Sequence, residues 1–215
     1  WDSWGQDSTV LKDMTISWYG EACFLLENSG VRILIEPPQK ESGINPPRLK
    51  SDILMFSRPR ADIASALSQP SEAPFIIDSP GEYEVGGVRV LGVADGGNNL
   101  YNIEIDGVKI SHLGFLKNDL DDEKVSIFDD SDIILVPVGN NEVLDAEAAM
   151  KLINKLEPSI AIPMLYDVKG LKTKRATLAA FLKESEAKEP PQPKLTIKKK
   201  DINEEEIKIV ILEKV

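Results

Sequence analysis

Histidine and cysteine are nearly missing from this chain. Its 215 residues include one histidine, His112, and one cysteine, Cys23. Zinc centres draw on imidazole and thiolate, with carboxylates as minority ligands. A dinuclear zinc centre of the ordinary kind therefore cannot be assembled from this composition. A single cysteine excludes an internal disulfide and fits a reducing compartment, so a cytoplasmic location is expected. No run of about 18 apolar residues occurs, which excludes a transmembrane helix. The first residues also lack the basic-then-apolar pattern of a signal peptide. Positive charge is in deficit: 25 Lys and Arg face 36 Asp and Glu, for a net charge of -11 and a pI near 4.7. Neither nucleic acid nor an anionic membrane is expected as a partner.

Two motif classes are absent as well. There is no Gly-x-x-x-x-Gly-Lys-Ser/Thr phosphate loop and no Gly-x-Ser-x-Gly elbow. The acidic stretch 119–130 lacks the spacing of a calcium loop and reads as a short, solvated helical face. The triplet Lys198, Lys199, Lys200 reads as a solvated edge.

What is present suits a soluble globular fold. The chain is 42% hydrophobic and 28% charged, and it is long enough to bury a sizeable core. Residues 1–13 read as a tail and residues 14–215 as one domain. Strands are expected at 14–18, 22–27, 31–36, 52–56, 75–78, 88–93, 100–105, 108–112, 132–136, 159–164, 195–200 and 207–212. Asp106-Gly107 is a strong two-residue hairpin signal. Residues 94–99, Ala-Asp-Gly-Gly-Asn-Asn, read as a flexible loop. Residues 144–156 carry apolar side chains at helical spacing. A second helix is expected over 173–185, with Thr173 as its N-cap.

The chain is organised around residues 49–67. A short apolar strand leads into the polar turn Ser57, Arg58, Pro59, Arg60, Ala61, Asp62, Ile63, and a helix-like run follows. Strand, turn, helix is where α/β folds place active sites, at the carboxyl end of the strand. This turn resembles the Thr-His-x-His-x-Asp-His turn of the metallo-β-lactamase superfamily, in its branch of small zinc-dependent, lactonase-like hydrolases. Further phrases carry the resemblance. Residues 16–24 are similar to Trp-x-Gly-His-Ala-x-Phe, with Glu21 at the histidine. Residues 33–37 resemble Ile-Leu-Ile-Asp-Pro, with Glu36 at the aspartate. Pro-Gly-Glu-Tyr-Glu-Val stands intact at 80–85, and Pro-Val-Gly at 137–139. Residues 112–115 resemble His-Leu-Gly-Asp, with Phe115 at the metal-bridging aspartate. Residues 163–166 resemble Pro-Met-His-Tyr, with Leu165 at the closing histidine.

The resemblance implies a four-layer αββα sandwich, two sheets face to face with helices outside. It implies a metal site at Arg58, Arg60, Asp62, Ile63, Phe115 and Leu165, of which only Asp62 keeps its family identity. The structural phrases persist while the ligand positions depart. A catalytically inactive scaffold or assembly subunit follows, without metal or cofactor. Its expected partner is a protein, either a second copy or an active relative. Two alternatives stand beside it. One is a hydrolase with a rebuilt carboxylate site of Asp62, Glu21 and Asp95, holding magnesium or manganese. The other is a small-anion binder using Arg58 and Arg60.

Glu21 and Glu36 read in themselves as solvated strand-end carboxylates, and His112 as a half-buried strand-end histidine. Loss of metal charge from a carboxylate cleft calls for a replacement cation. At least one of Arg58 and Arg60 is therefore expected to pair with Asp62, Glu21 or Glu36. The candidate cleft comprises Glu21, Arg58, Arg60, Asp62 and His112.

Overall fold

A computed structural model describes residues 13–28, 30–60, 73–203 and 205–215. Among the described residues, thirteen strands form two sheets. The first runs in the order β12 (Leu195–Ile197), β1 (Met14–Trp18), β2 (Phe24–Glu27), β3 (Arg32–Ile35), β4 (Ile53–Met55), β5 (Phe75–Ile77). The second runs β13 (Lys208–Ile209), β11 (Ile160–Met164), β10 (Ile133–Pro137), β9 (Val108–His112), β8 (Asn98–Ile105), β7 (Val88–Asp95), β6 (Gly81–Val85). Each sheet has an antiparallel part built from hairpins and a parallel part built from crossovers. In the first sheet β3, β4 and β5 are parallel. In the second β9, β10, β11 and β13 are parallel.

The crossovers β9–α1–β10 and β10–α2–β11 carry helices α1 (Asp122–Phe128) and α2 (Ala146–Leu156). Right-handed crossovers moving in one direction across a sheet leave both helices on the same face. Helix α3 (Leu178–Ser185) packs against α2 in that layer. The N-caps follow from sequence. The Asp121 and Asp145 side chains accept from the backbone N–H of Lys124 and Ala148, satisfying donors that the first turn leaves open.

The two sheets meet face to face. Ile16, Trp18, Phe24, Leu26, Ile33, Ile35, Ile53 and Met55 project from the first into one core with Val90, Tyr101, Ile103, Ile110, Leu135 and Ile162 of the second. Alternate residues of the first sheet, Cys23, Leu25, Leu34, Leu54 and Phe56, form a smaller apolar cluster on its other face. Strands β10 and β11 are buried along their whole length, as central parallel strands covered on both sides must be. This is the αββα sandwich. The helix expected near residues 63–67 lies outside the described residues.

Two expectations are corrected. Residues 94–99 are a tight hairpin, in which Asp95 pairs with Asn98. Gly96 and Gly97 both take positive φ, 56° and 86°, as a two-residue turn between twisted strands requires. The last helix begins at Leu178, after the N-cap Thr177, rather than at 173. The preceding residues spend their backbone groups elsewhere: Ala176 donates its N–H to Gly139 O, and Asp167 donates to Ala176 O.

Candidate functional site

The carboxyl ends of parallel strands from both sheets converge on one cleft of about 490 Å³. Glu36 follows β3, and Arg58, Pro59 and Arg60 follow β4. Phe115 follows β9, and Glu21 lies in the turn between β1 and β2. The segment ahead of α3 contributes Thr173 and Arg175. Pro37 and Pro38 form an apolar wall, and the exposed Glu41 and Glu142 stand at the rim.

Hydrogen bonds within and between the sheets fix the cleft. Glu21 O accepts from Trp18 Nε1 at 2.9 Å and from Leu165 N at 3.2 Å. Tyr101 Oη donates to Phe56 O at 2.7 Å. Asn99 N donates to Ser57 O at 2.6 Å, and Phe115 N to Asn98 Oδ1 at 3.0 Å. Three non-glycine residues here hold left-handed backbone: Glu21 at φ 51°, Glu36 at 47° and Leu165 at 60°. Such conformations cost on the order of 1–3 kcal/mol each and persist where surrounding structure over-determines them. They turn the chain sharply at each strand end, so that successive side chains face inward.

Glu21 and Glu36 are buried, 9% and 7% exposed, which corrects the reading of both as solvated. Glu21 faces Arg175, with Nε–Oε1 at 3.4 Å and Nη2–Oε2 at 3.5 Å. The Arg175 side chain is only 2% exposed, and its Nη1 is buried with no hydrogen-bond partner. Arg175 was not singled out from sequence. It lies 154 positions from Glu21, and nothing local marks it. Glu36 accepts from Ser57 N–H at 2.6 Å. Burial pushes its carboxyl pKa up, while that N–H and the nearby Arg60 and Arg58 charges pull it back. The Cys23 thiol lies close enough to Glu36 to feel its charge, and burial raises its pKa well above normal.

Arg58 and Arg60 both face this cleft. The Arg58 guanidinium lies 3.3 Å above the Phe115 ring centroid, a cation–π stack. Burial lowers its pKa, while Glu36, Glu142 and Glu21 raise it and Arg175 lowers it further. Arg60 donates to Pro37 O and sits 5.1 Å over the Phe56 ring. The carboxylate of Glu21 is thus paired to Arg175 rather than to Arg58 or Arg60. Both of the latter lie within electrostatic reach of Glu36. Asp62 and Ile63 lie outside the described residues.

His112 does not line the cleft. It is fully buried, which corrects the half-buried expectation. Its Nε2–H donates to Ala22 O at 2.9 Å, and its Nδ1 accepts from Gly114 N at 3.2 Å. Both nitrogens are engaged, and burial drops its pKa to about 4. It is a neutral tie between the sheets. Asp95, proposed above with Glu21 as a carboxylate ligand, sits at the β7–β8 hairpin and pairs with Lys124 at 3.2 Å. These two carboxylates are not brought together.

The donor set of the described residues does not fit a metal ion. Among the described residues, no three His, Cys, Asp or Glu side chains gather in a metal-holding group. The two carboxylates of the cleft floor are already committed, and a divalent cation placed there would face Arg58, Arg60 and Arg175. Those like charges would repel it.

Comparison with known proteins places this geometry in context. Residues 15–165 match the model of the Beta-lactamase superfamily domain. A UPF0173 metal-dependent hydrolase of Thermoplasma acidophilum is 27% identical, with 73% of this chain and 85% of that protein covered. One from Archaeoglobus fulgidus is 25% identical over 72% and 84% of the two chains. Among solved structures, a candidate Zn-dependent hydrolase of the metallo-β-lactamase superfamily from Thermotoga maritima superposes with a TM-score of 0.80. It is 30% identical, over 93% of this chain and 98% of that one. No helix among the described residues is long and apolar enough to cross a membrane.

Proposed function

The chain belongs to the metallo-β-lactamase superfamily, and from that premise we propose that it works without a metal, as a catalytically inactive binding or assembly subunit. Its relatives are named metal-dependent hydrolases. The observation that carries the proposal is the buried Glu21–Arg175 pair, flanked by Arg58 and Arg60 at the carboxyl ends of the strands. In a hydrolase of this fold, clustered carboxylates and imidazoles need the charge of a metal beside them. Here guanidinium groups supply permanent positive charge instead, and they need no ion to be retained.

Phe115 supports the same reading. A benzyl side chain cannot ligate, but it provides the face on which Arg58 stacks. The two departures from the family pattern therefore satisfy each other. A protein partner, either a second copy or an active relative, is the partner class proposed for such a subunit, in the cytoplasm.

The test is thermal. Anything bound to the folded state alone stabilises it, by about 4 kcal/mol at a thousandfold excess over its Kd. Excess EDTA, and separately added zinc, should each leave the melting temperature unchanged within about 1 °C. A chelator-induced fall of many degrees would reveal a bound metal that holds the fold together, and the proposal would fail.

A further inference from the structure

Three guanidinium groups line this cleft, and one of them holds a buried nitrogen without an acceptor. Arg175 Nη1 is buried and unpartnered. Arg58 makes no hydrogen bond or ion pair among the described residues; its contact is the face of Phe115. Arg175 is near enough to Arg58 to disfavour the charge of Arg58. Like charges are not held together in a half-buried cleft without compensation.

Among the described residues, the carboxylates that could compensate are occupied or peripheral. Glu21 is taken by Arg175, and Glu36 by Ser57 N–H at the foot of β4. Glu41 and Glu142 are exposed at the rim. Among the described residues the cleft is lined by Arg58, Arg60 and Arg175 together with Glu21, Glu36, Glu41 and Glu142, and the buried Arg175 Nη1 keeps an unmet hydrogen-bond donor among them. The cleft volume of about 490 Å³ falls within the range of roughly 300–1,000 Å³ of small-molecule sites. Phe115, Pro37, Pro38 and Pro59 give it apolar walls.

Resting on the metal-free reading, we propose that the cleft binds a small organic oxyanion, a phosphomonoester or a carboxylate, whose charged group bridges Arg58 and Arg175. The planar guanidinium fork matches the paired oxygens of either group, and charge-assisted bonds to it are about twice as strong as neutral ones. The organic body lies against Phe115 and the proline wall. The acidic rim keeps out ligands of high negative charge and favours compact ones with a single anionic group.

The experiment is calorimetric titration, with parallel melting curves, of the full chain in EDTA at fixed ionic strength. The probes are phenyl phosphate, benzoate and inorganic phosphate, with chloride as the control. Saturable binding of phenyl phosphate or benzoate is expected, with a melting temperature that rises as the site fills. Whichever of the two binds tighter assigns the anionic group. Arg58→Gln should weaken that binding by about tenfold or more, the loss of one charge-assisted pair. The unliganded variant should melt within about 2 °C of the parent, since the residue is exposed.

No saturable binding of any probe, or equal binding by Arg58→Gln, overturns the inference and leaves the metal-free reading standing. Binding that appears only after zinc is added, and disappears in EDTA, overturns both.

Discussion

Arg175→Met should lower stability by about 4 kcal/mol. Removing one partner of a buried ion pair costs roughly 3–5 kcal/mol, because the remaining charge stays buried without compensation. Here that charge is Glu21, 9% exposed, whose carboxylate has Arg175 as its hydrogen-bonded partner. Methionine keeps the apolar length of the arginine stem, which separates loss of charge from loss of packing. For a chain of this size the effect corresponds to a fall of roughly 10 °C in melting temperature. Glu21→Gln should cost a similar amount for the mirror reason. The double variant should cost clearly less than the sum of the two, with a coupling of about 2 kcal/mol. Denaturant unfolding of the four proteins measures this. Single-variant costs within about 0.5 kcal/mol would mean that the pair is incidental to the fold.

Gly139→Ala should be comparably damaging for a steric reason. A Cβ at this position would lie 1.8 Å from Leu165 O and 2.8 Å from Arg175 Cδ. The first contact is against backbone, at the point where the chain reverses through Leu165 at φ 60°. Neither strand end can yield without disturbing Ala176 N–H, which bonds to Gly139 O at 2.7 Å. Overpacking costs about 1–3 kcal/mol where side chains can adjust, and about 3 kcal/mol or more is expected here. Gly86→Ala is the control. An added Cβ there meets nothing within 4 Å, so only its left-handed φ of 59° is penalised, at about 1 kcal/mol. Equal costs at the two glycines would contradict the packing assigned to the Gly139 turn.

The sandwich was legible because its strands announce themselves locally. Residues 14–18 became β1 with the same bounds, and Asp106-Gly107 became the β8–β9 turn. The apolar runs 132–136 and 159–164 became β10 and β11, both buried along their whole length. The cleft's location was legible too, since Arg58 and Arg60 follow a short strand. The charge partner of Glu21 was not. Arg175 sits in a polar stretch that reads as the first turn of a helix. Tertiary bonds to Gly139 and Asp167 override that propensity and turn Arg175 inward. The burial of Glu21 and Glu36 was missed for a related cause. Strand-end carboxylates are ordinarily solvated, and what covers these two arrives from far along the chain. Gly96-Gly97 was a hairpin signal in plain view, outweighed by the polar residues around it.

In the proposed function, arginine charge has replaced metal charge in this cleft. Elemental analysis of the chain, purified without chelator or affinity metal, tests it most directly. The expected result is zinc, iron, manganese and other transition metals each well below one equivalent per chain, before and after dialysis against zinc. A retained stoichiometric equivalent of any of them would contradict it.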